Sequence, residues 1–175
     1  MKTLTATALF MAMNIIMSSS FLSIPVPGGH MYLNDLVIVT AAVLLDPIHA
    51  VIAGGIGAFI GDFLFYPAPM FVSLVTHGLQ AAVISLFTAK FRRKASGAAV
   101  GSVIGSAVGL AITVAGYSFG RAFIYGTPEY AVIKLPFQIL QTAVGSAAAL
   151  LLCWKCGLVT VYEKIIDTDR YHYEK

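Results

Sequence analysis

Gly97-Ala98-Ala99-Val100-Gly101-Ser102-Val103-Ile104-Gly105-Ser106-Ala107-Val108-Gly109 opens a stretch that carries no charged residue as far as Gly120. A helix of this kind has no polar face to offer water, and it exceeds the roughly twenty residues needed to cross a hydrocarbon core. Its glycines recur every fourth residue, so one face is stripped of side chains and a neighbouring backbone can approach it closely. The stretch therefore reads as a bilayer helix built to pack against other helices.

Working outward, five further apolar stretches use up most of the 175 residues. The spans are expected at Thr3 to Phe21, Leu36 to Leu45 with its polar approach, Pro47 to Phe65, Met70 to Phe91, Gly97 to Ile124 and Pro128 to Trp154. Composition agrees: 58% of residues are hydrophobic, 11% are charged and the mean hydropathy is +0.85, too apolar for a water-facing surface. The expected fold is an all-α membrane protein, a six-transmembrane-helix bundle forming one integral membrane domain over residues 1–175, with a tail at 157–175. Lys2, the apolar run after it and Ser18, Ser19 and Ser20 could pass for a secretory signal, but no small-x-small cleavage site follows. The segment is read as a retained helix.

Cations set the expected orientation, because cytoplasmic loops collect Lys and Arg. Lys2, the cluster Lys90, Arg92, Arg93 and Lys94, and Lys155, Lys164, Arg170 and Lys175 share one side of a six-span arrangement, leaving Arg121 and Lys134 near the other. Both termini are expected in the cytoplasm. The net charge of +3 is then a topology signal and an attraction to lipid headgroups, and the absence of interleaved basic and aromatic residues argues against nucleic acid. Cys153 and Cys156 form a Cys-x-x-Cys pair, but a zinc site needs four ligands and the nearby tail offers only His172, so reduced thiols and no metal are expected.

Glycine and alanine pairs mark further packing faces at Gly57 and Gly61 and at Gly145 and Ala149; Ala8 and Ala12 form another on the first helix. Between the first two spans, Ser23-Ile24-Pro25-Val26-Pro27-Gly28-Gly29-His30-Met31-Tyr32-Leu33-Asn34-Asp35 cannot be continuous helix. The loop at 22–35 is a connector or, given its aromatic and polar content, a gate. Asn34 and Asp35 could also serve simply as N-caps of the second helix.

Polar groups inside spans are costly, and here they gather on the outer half. Asp62 and Tyr66 close the third helix, His77 and Gln80 lie on the fourth, Tyr117 and Arg121 end the fifth, and Lys134, Gln138 and Gln141 share one face of the sixth. Thr127 and Pro128 start that helix as N-cap and first residue, which puts Pro136 inside it and would free the carbonyl of Val132 for a ligand. Simpler roles compete: Lys134 could snorkel, Arg121 could pair with Glu129, and Asp62 could only cap its helix. Neither a Gly-x4-Gly-Lys phosphate loop nor a His-Glu-x-x-His motif is present, so powered work would need a partner.

Taken in order, Tyr32-Leu33-Asn34-Asp35, Ala41-Ala42-Val43-Leu44-Leu45-Asp46-Pro47, Gly54 to Asp62, Gly116-Tyr117 with Tyr125-Gly126, and Pro136, Gln141 and Gly145 resemble the substrate-binding S component of energy-coupling factor (ECF) transporters. The similarity is to the group for riboflavin, pyridoxine and hydroxymethylpyrimidine. It implies a multi-pass protein of a bacterial cell membrane that binds a small vitamin-like molecule without a cofactor and is not itself an enzyme. It also implies partners: a membrane coupling subunit (EcfT-like), docked on an Ala-x-x-x-Ala face matched by Ala8 and Ala12, and two cytosolic ATPases. The substrate would be a small heteroaromatic vitamin or precursor, hydroxymethylpyrimidine or pyridoxine, with riboflavin or another vitamin as the alternative. His30, Tyr32, Asn34, Asp62, Tyr66, His77, Tyr117, Arg121, Lys134, Gln138 and Gln141 are the expected substrate-binding residues.

Three departures bear on the substrate. His77-Gly78 stands where Lys-Gly is common in the family, Arg121 where an acid is frequent, and Phe137-Gln138 in place of Gly-Asn. A rival class, an intramembrane serine hydrolase, arises from Gly116-Tyr117-Ser118-Phe119-Gly120, but only His77 could act as base for Ser118. A small channel or packing subunit is a third class, and it would not require the outer polar cluster.

Overall fold

The computed structural model describes residues 2–19, 22–27, 29–92 and 95–166. Phe21, Gly28, Arg93, Lys94 and the tail beyond Ile166, with Arg170, His172 and Lys175, lie outside them. The described chain runs α1 (Lys2–Met17), β1 (Ile24–Val26), β2 (Gly29–Met31), α2 (Asn34–Leu44), α3 (Pro47–Phe65), α4 (Met70–Lys90), α5 (Ala95–Phe123), α6 (Pro128–Lys155) and α7 (Leu158–Ile166). It is an all-α membrane protein apart from one short hairpin. Four helices, α3 to α6, are long and apolar enough to cross a membrane, whereas α1 and α2 have 16 and 11 residues.

Local chemistry starts and stops these helices. Asp46 caps α3, its carboxylate accepting from the Ile48 and His49 amides at 3.2 Å, with Pro47 at the first helical position. The same carboxylate lies 2.5 Å from His49 Nδ1. Thr127 caps α6 as expected, accepting from the Tyr130 amide at 3.3 Å, with Pro128 next. Gly157, at φ +74°, takes the left-handed conformation that separates α6 from α7. Asn34 and Asp35 do not cap α2: Leu33 holds the cap position without a side-chain bond, and both side chains are buried.

Helix α2 is the axis of the bundle, buried from Asn34 to Leu44 except for the half-buried Leu36. Around it the helices meet along glycine faces. An added Cβ at Gly101 would strike the Phe87 carbonyl oxygen at 2.5 Å, at Gly105 the Ile84 Cα at 2.9 Å, and at Gly109 the Gln80 Cγ at 3.1 Å. The seam of α5 on α4 continues upward, where Gly116 faces Thr76 and Gly120 faces Val72. Gly57 and Gly61 receive Asn14 and Ser18 of α1. Asn14, wholly buried, donates through Nδ2 to the carbonyls of Ala53 and Gly54 at 3.0 Å. Those carbonyls belong to a π-helical turn over Ile52–Ile56, where the regular ladder is interrupted and side-chain donors are useful.

The outward face of α1 is different. Ala8 and Ala12 are exposed, flanked by the exposed Leu4, Leu9, Met13 and Ile16. They do not pack inside the bundle. In α6, Val132 and Pro136 are likewise exposed while Lys134 and Gln138 are buried, so the carbonyl freed by Pro136 belongs to the outer face and does not serve the polar stripe.

The seam makes a stability prediction. Gly105→Leu must displace the α4 backbone at Ile84, so it should destabilise the protein by about 1 to 3 kcal/mol. Val108→Ala, on the exposed side of the same helix, should change little, and thermal unfolding in detergent compares the two.

Candidate substrate-binding site

At the end of the bundle where α3 finishes and α6 begins, the helices diverge around a cavity of about 190 Å³. The hairpin segment contributes His30 and Tyr32, and the start of α2 contributes Asn34. Asp62 and Tyr66 come from the end of α3, His77 from α4, Tyr117 and Arg121 from α5, and Lys134, Gln138 and Gln141 from one face of α6. All eleven residues singled out in the sequence line this one cavity. Gly29, Pro69, Tyr125 and Tyr130 line it too and were not singled out. Tyr130 stands four residues before Lys134, on the same face of α6, whereas Tyr125 lies past the end of α5, where no helical period marks which side it faces.

Behind the wall lies a residue whose role the sequence did not disclose. Asp35 has no exposed surface, and its carboxylate accepts from Gln80 Nε2 at 3.0 Å, Gln141 Nε2 at 3.2 Å and Thr142 Oγ1 at 3.2 Å. These bonds tie α2 to α4 and α6. They also fix amide orientations: Gln80 gives its nitrogen to Asp35, so its oxygen meets His77 Nδ1, 2.7 Å away. An amide oxygen only accepts, so Nδ1 of His77 carries the proton and Nε2 is the ring nitrogen left for a ligand. Gln141 likewise gives its nitrogen to Asp35 and accepts the Tyr32 amide at 3.0 Å through its oxygen.

A second relay runs along the opposite wall. Asp62 does more than end its helix: Ser73 Oγ donates to its carboxylate, and the Tyr117 hydroxyl, 2.5 Å from Ser73 Oγ, donates in turn. The Tyr117 ring meets His77 edge-on at 5.4 Å between centroids, and the Arg121 guanidinium lies 5.3 Å from the same ring centroid. Arg121 donates from Nη2 to Gln138 Oε1 at 2.7 Å and makes no ion pair with Glu129, which is exposed. Lys134 does not snorkel. It is 3% exposed and donates to the His30 carbonyl at 2.6 Å, fastening the hairpin over the cavity. Burial pushes the Tyr125 phenol above its usual range.

Three buried polar atoms of the lining have no hydrogen-bond partner among the described residues: Asn34 Oδ1, Arg121 Nη1 and Gln138 Nε2. A cavity with aromatic walls and a few such convergent polar groups is the usual form of a small-molecule site. A second cavity of about 380 Å³, between α1 and α7, is bordered by Leu9, Phe10, Leu158 and other mostly apolar side chains, without convergent polar groups. Elsewhere, Ser118 Oγ has no hydrogen-bond partner among the described residues, so no nucleophile–base contact forms there. Cys153 is buried and Cys156 exposed, both as free thiols.

A family model described as "ECF-type riboflavin transporter, S component" matches residues 1–157. The chain is also 30% identical over 76 residues to a Pyrococcus woesei protein titled "Uncharacterized protein in gap 3'region", an alignment covering 42% of this chain and 51% of that relative.

The tether predicts a local change. Lys134→Met removes the bond to the His30 carbonyl, so amide exchange at residues 24–31 should accelerate about tenfold or more, the loss of one charge-assisted bond. Hydrogen–deuterium exchange measures it, with α2 as the internal reference that stays protected.

Proposed function

This chain belongs to the family of ECF-type riboflavin transporter S components, and we propose that it is the membrane-embedded binding subunit of an uptake transporter for a small single-ring heteroaromatic vitamin or precursor, in the size class of hydroxymethylpyrimidine and pyridoxine. The observation that carries the reading is the cavity itself. Six segments of the chain bring aromatic rings, amides and ionisable groups to one space of about 190 Å³. Pockets for drug-sized ligands run from roughly 300 Å³ upward, so this space favours one ring over the three fused rings and side chain of riboflavin. Tyr32, Tyr66 and Tyr117 offer ring faces and edges, and His77 and the glutamines offer hydrogen bonds.

In this reading the bundle has six crossings and both termini are cytoplasmic. Helix α1, at about 24 Å, is shorter than a hydrocarbon core of about 30 Å, so it crosses upright with local thinning of the bilayer. Helix α2 need not match the bilayer, because it is enclosed by protein, and non-helical backbone at membrane depth is tolerated where it lines a cavity. The hairpin is the gate, and Lys134 and Gln141 are its latches. Release inside requires the coupling subunit, which docks on the exposed Ala8 and Ala12 face of α1, and its two ATPases.

A hydrolase around Ser118 is disfavoured by the absence of a base contact, so Ser118→Ala should leave ligand binding intact. Calorimetry of the purified chain against pyridoxine, hydroxymethylpyrimidine and riboflavin should give ATP-independent binding, with a single-ring compound preferred. His77→Ala or Gln138→Ala should weaken that binding by about 1 to 3 kcal/mol. No binding of riboflavin or of any single-ring heteroaromatic compound, neutral or acidic, by folded protein would sink the assignment.

A separate prediction concerns the exposed face of α1. Ala8→Trp/Ala12→Trp should abolish uptake by cells expressing the complete transporter while the isolated chain still binds and unfolds at its normal temperature. Intact uptake would refute the docking role.

A further inference from the structure

We infer that the ring compound held in this pocket carries a carboxylate, received by Arg121 and Gln138. The inference rests on the binding-subunit reading and narrows its substrate class from neutral ring alcohols to heteroaromatic acids.

Arg121 is the origin of the argument. Its guanidinium is permanently charged and the residue is 7% exposed, a placement that is costly unless an anion answers it. No protein carboxylate forms an ion pair with it among the described residues. Asp35 is occupied by Gln80, Gln141 and Thr142, and Asp62 accepts from Ser73. What Arg121 meets is the Tyr117 ring and the neutral carbonyl of Gln138.

Two donors then remain on side chains already joined to each other. Arg121 uses Nη2 on Gln138 Oε1, which leaves Arg121 Nη1 and Gln138 Nε2 buried and without partners among the described residues. A carboxylate supplies two acceptor oxygens on a planar group, the complement of two donors held together in this way. Lys134, also buried and lining the same cavity, adds a second cation, against one acidic side chain in the lining, Asp62, which is engaged by Ser73. Phosphate is a poorer match, because the space of about 190 Å³ must also hold a ring and only one guanidinium is present to clamp it. Asn34 asks the opposite of the ligand: its unpartnered Oδ1 accepts, so a hydroxyl or amine on the ring would complete it.

Pairs of ring compounds in which one member carries a carboxylate and the other a neutral group at the same ring position test this. The full-length purified protein is titrated by calorimetry with nicotinate against nicotinamide and with 4-pyridoxate against pyridoxine. At least one acid should bind about tenfold to a hundredfold more tightly than its neutral partner, the range for a charge-assisted hydrogen bond. Arg121→Gln should bring that ratio close to one, while Arg121→Lys should restore part of it. Unfolding temperature without ligand establishes that each variant is folded. Equal or tighter binding of the neutral partners in the natural protein would overturn the carboxylate and leave the binding-subunit reading standing. An acid preference that survives in folded Arg121→Gln would overturn the role of Arg121. Failure of every ring compound, riboflavin included, to bind folded protein would overturn both readings together.

Discussion

Asp35 has no access to solvent and, among the described residues, no ion pair; its carboxylate is held by three neutral donors from two other helices, Gln80 on α4 and Gln141 and Thr142 on α6. Buried polar groups are expensive when unsatisfied, each orphaned donor costing about 1 to 3 kcal/mol, so this knot tolerates only one relative placement of α2, α4 and α6. Gly145 makes the placement sterically possible, since a Cβ there would lie 2.6 Å from that of Asp35. From the knot the order spreads outward. Gln80 sets the tautomer of His77, and Gln141 catches the amide of Tyr32 at the foot of the hairpin. The wall and the cover of the cavity are thus positioned by one buried acid.

Glycine packing supplies the second constraint. The α5 seam brings its backbone against α4 from Gly101 to Gly120, and that fixes the rotation of α5 about its own axis. Tyr117 and Arg121, four residues apart, consequently share the cavity side. The first helix uses the same device differently: Asn14, and Ser18 just beyond the end of α1, pack against Gly57 and Gly61, which leaves Ala8 and Ala12 outward. Close backbone packing inside and a smooth small-residue face outside suit a rigid body that binds its ligand alone and meets its partner through the membrane.

Much of this was legible in the sequence because membrane folding leaves few disguises. The uncharged runs, the four-residue glycine period and the i, i+4, i+7 spacing of Lys134, Gln138 and Gln141 each depend on one helix alone. What could not be read depends on contacts between helices. Asp35 resembled a cap because it lies at the start of a helix, and only the arrival of Gln80, Gln141 and Thr142 distinguishes a buried hub from a cap. Asn14 gave a fair signal, a single amide in an apolar run, but its partners are carbonyls of a π-helical turn about forty residues away. The freed carbonyl of Val132 was misjudged because helical position alone did not separate the outer face, with Val132 and Pro136, from the buried stripe. Tyr130 was within reach of the same spacing argument, standing four residues before Lys134, whereas Tyr125 lies past the end of α5, where periodicity gives no facing.

The central claim is that a preformed pocket captures a single small ring without energy input. Native mass spectrometry of the full chain, purified from cells without added ligand or ATP, tests it most directly. The account predicts a one-to-one adduct with a single-ring heteroaromatic compound, lost from a folded His77→Ala/Gln138→Ala variant. A folded natural chain that carries no adduct and gains none when incubated with single-ring vitamins, or an adduct that persists unchanged in that variant, would contradict it.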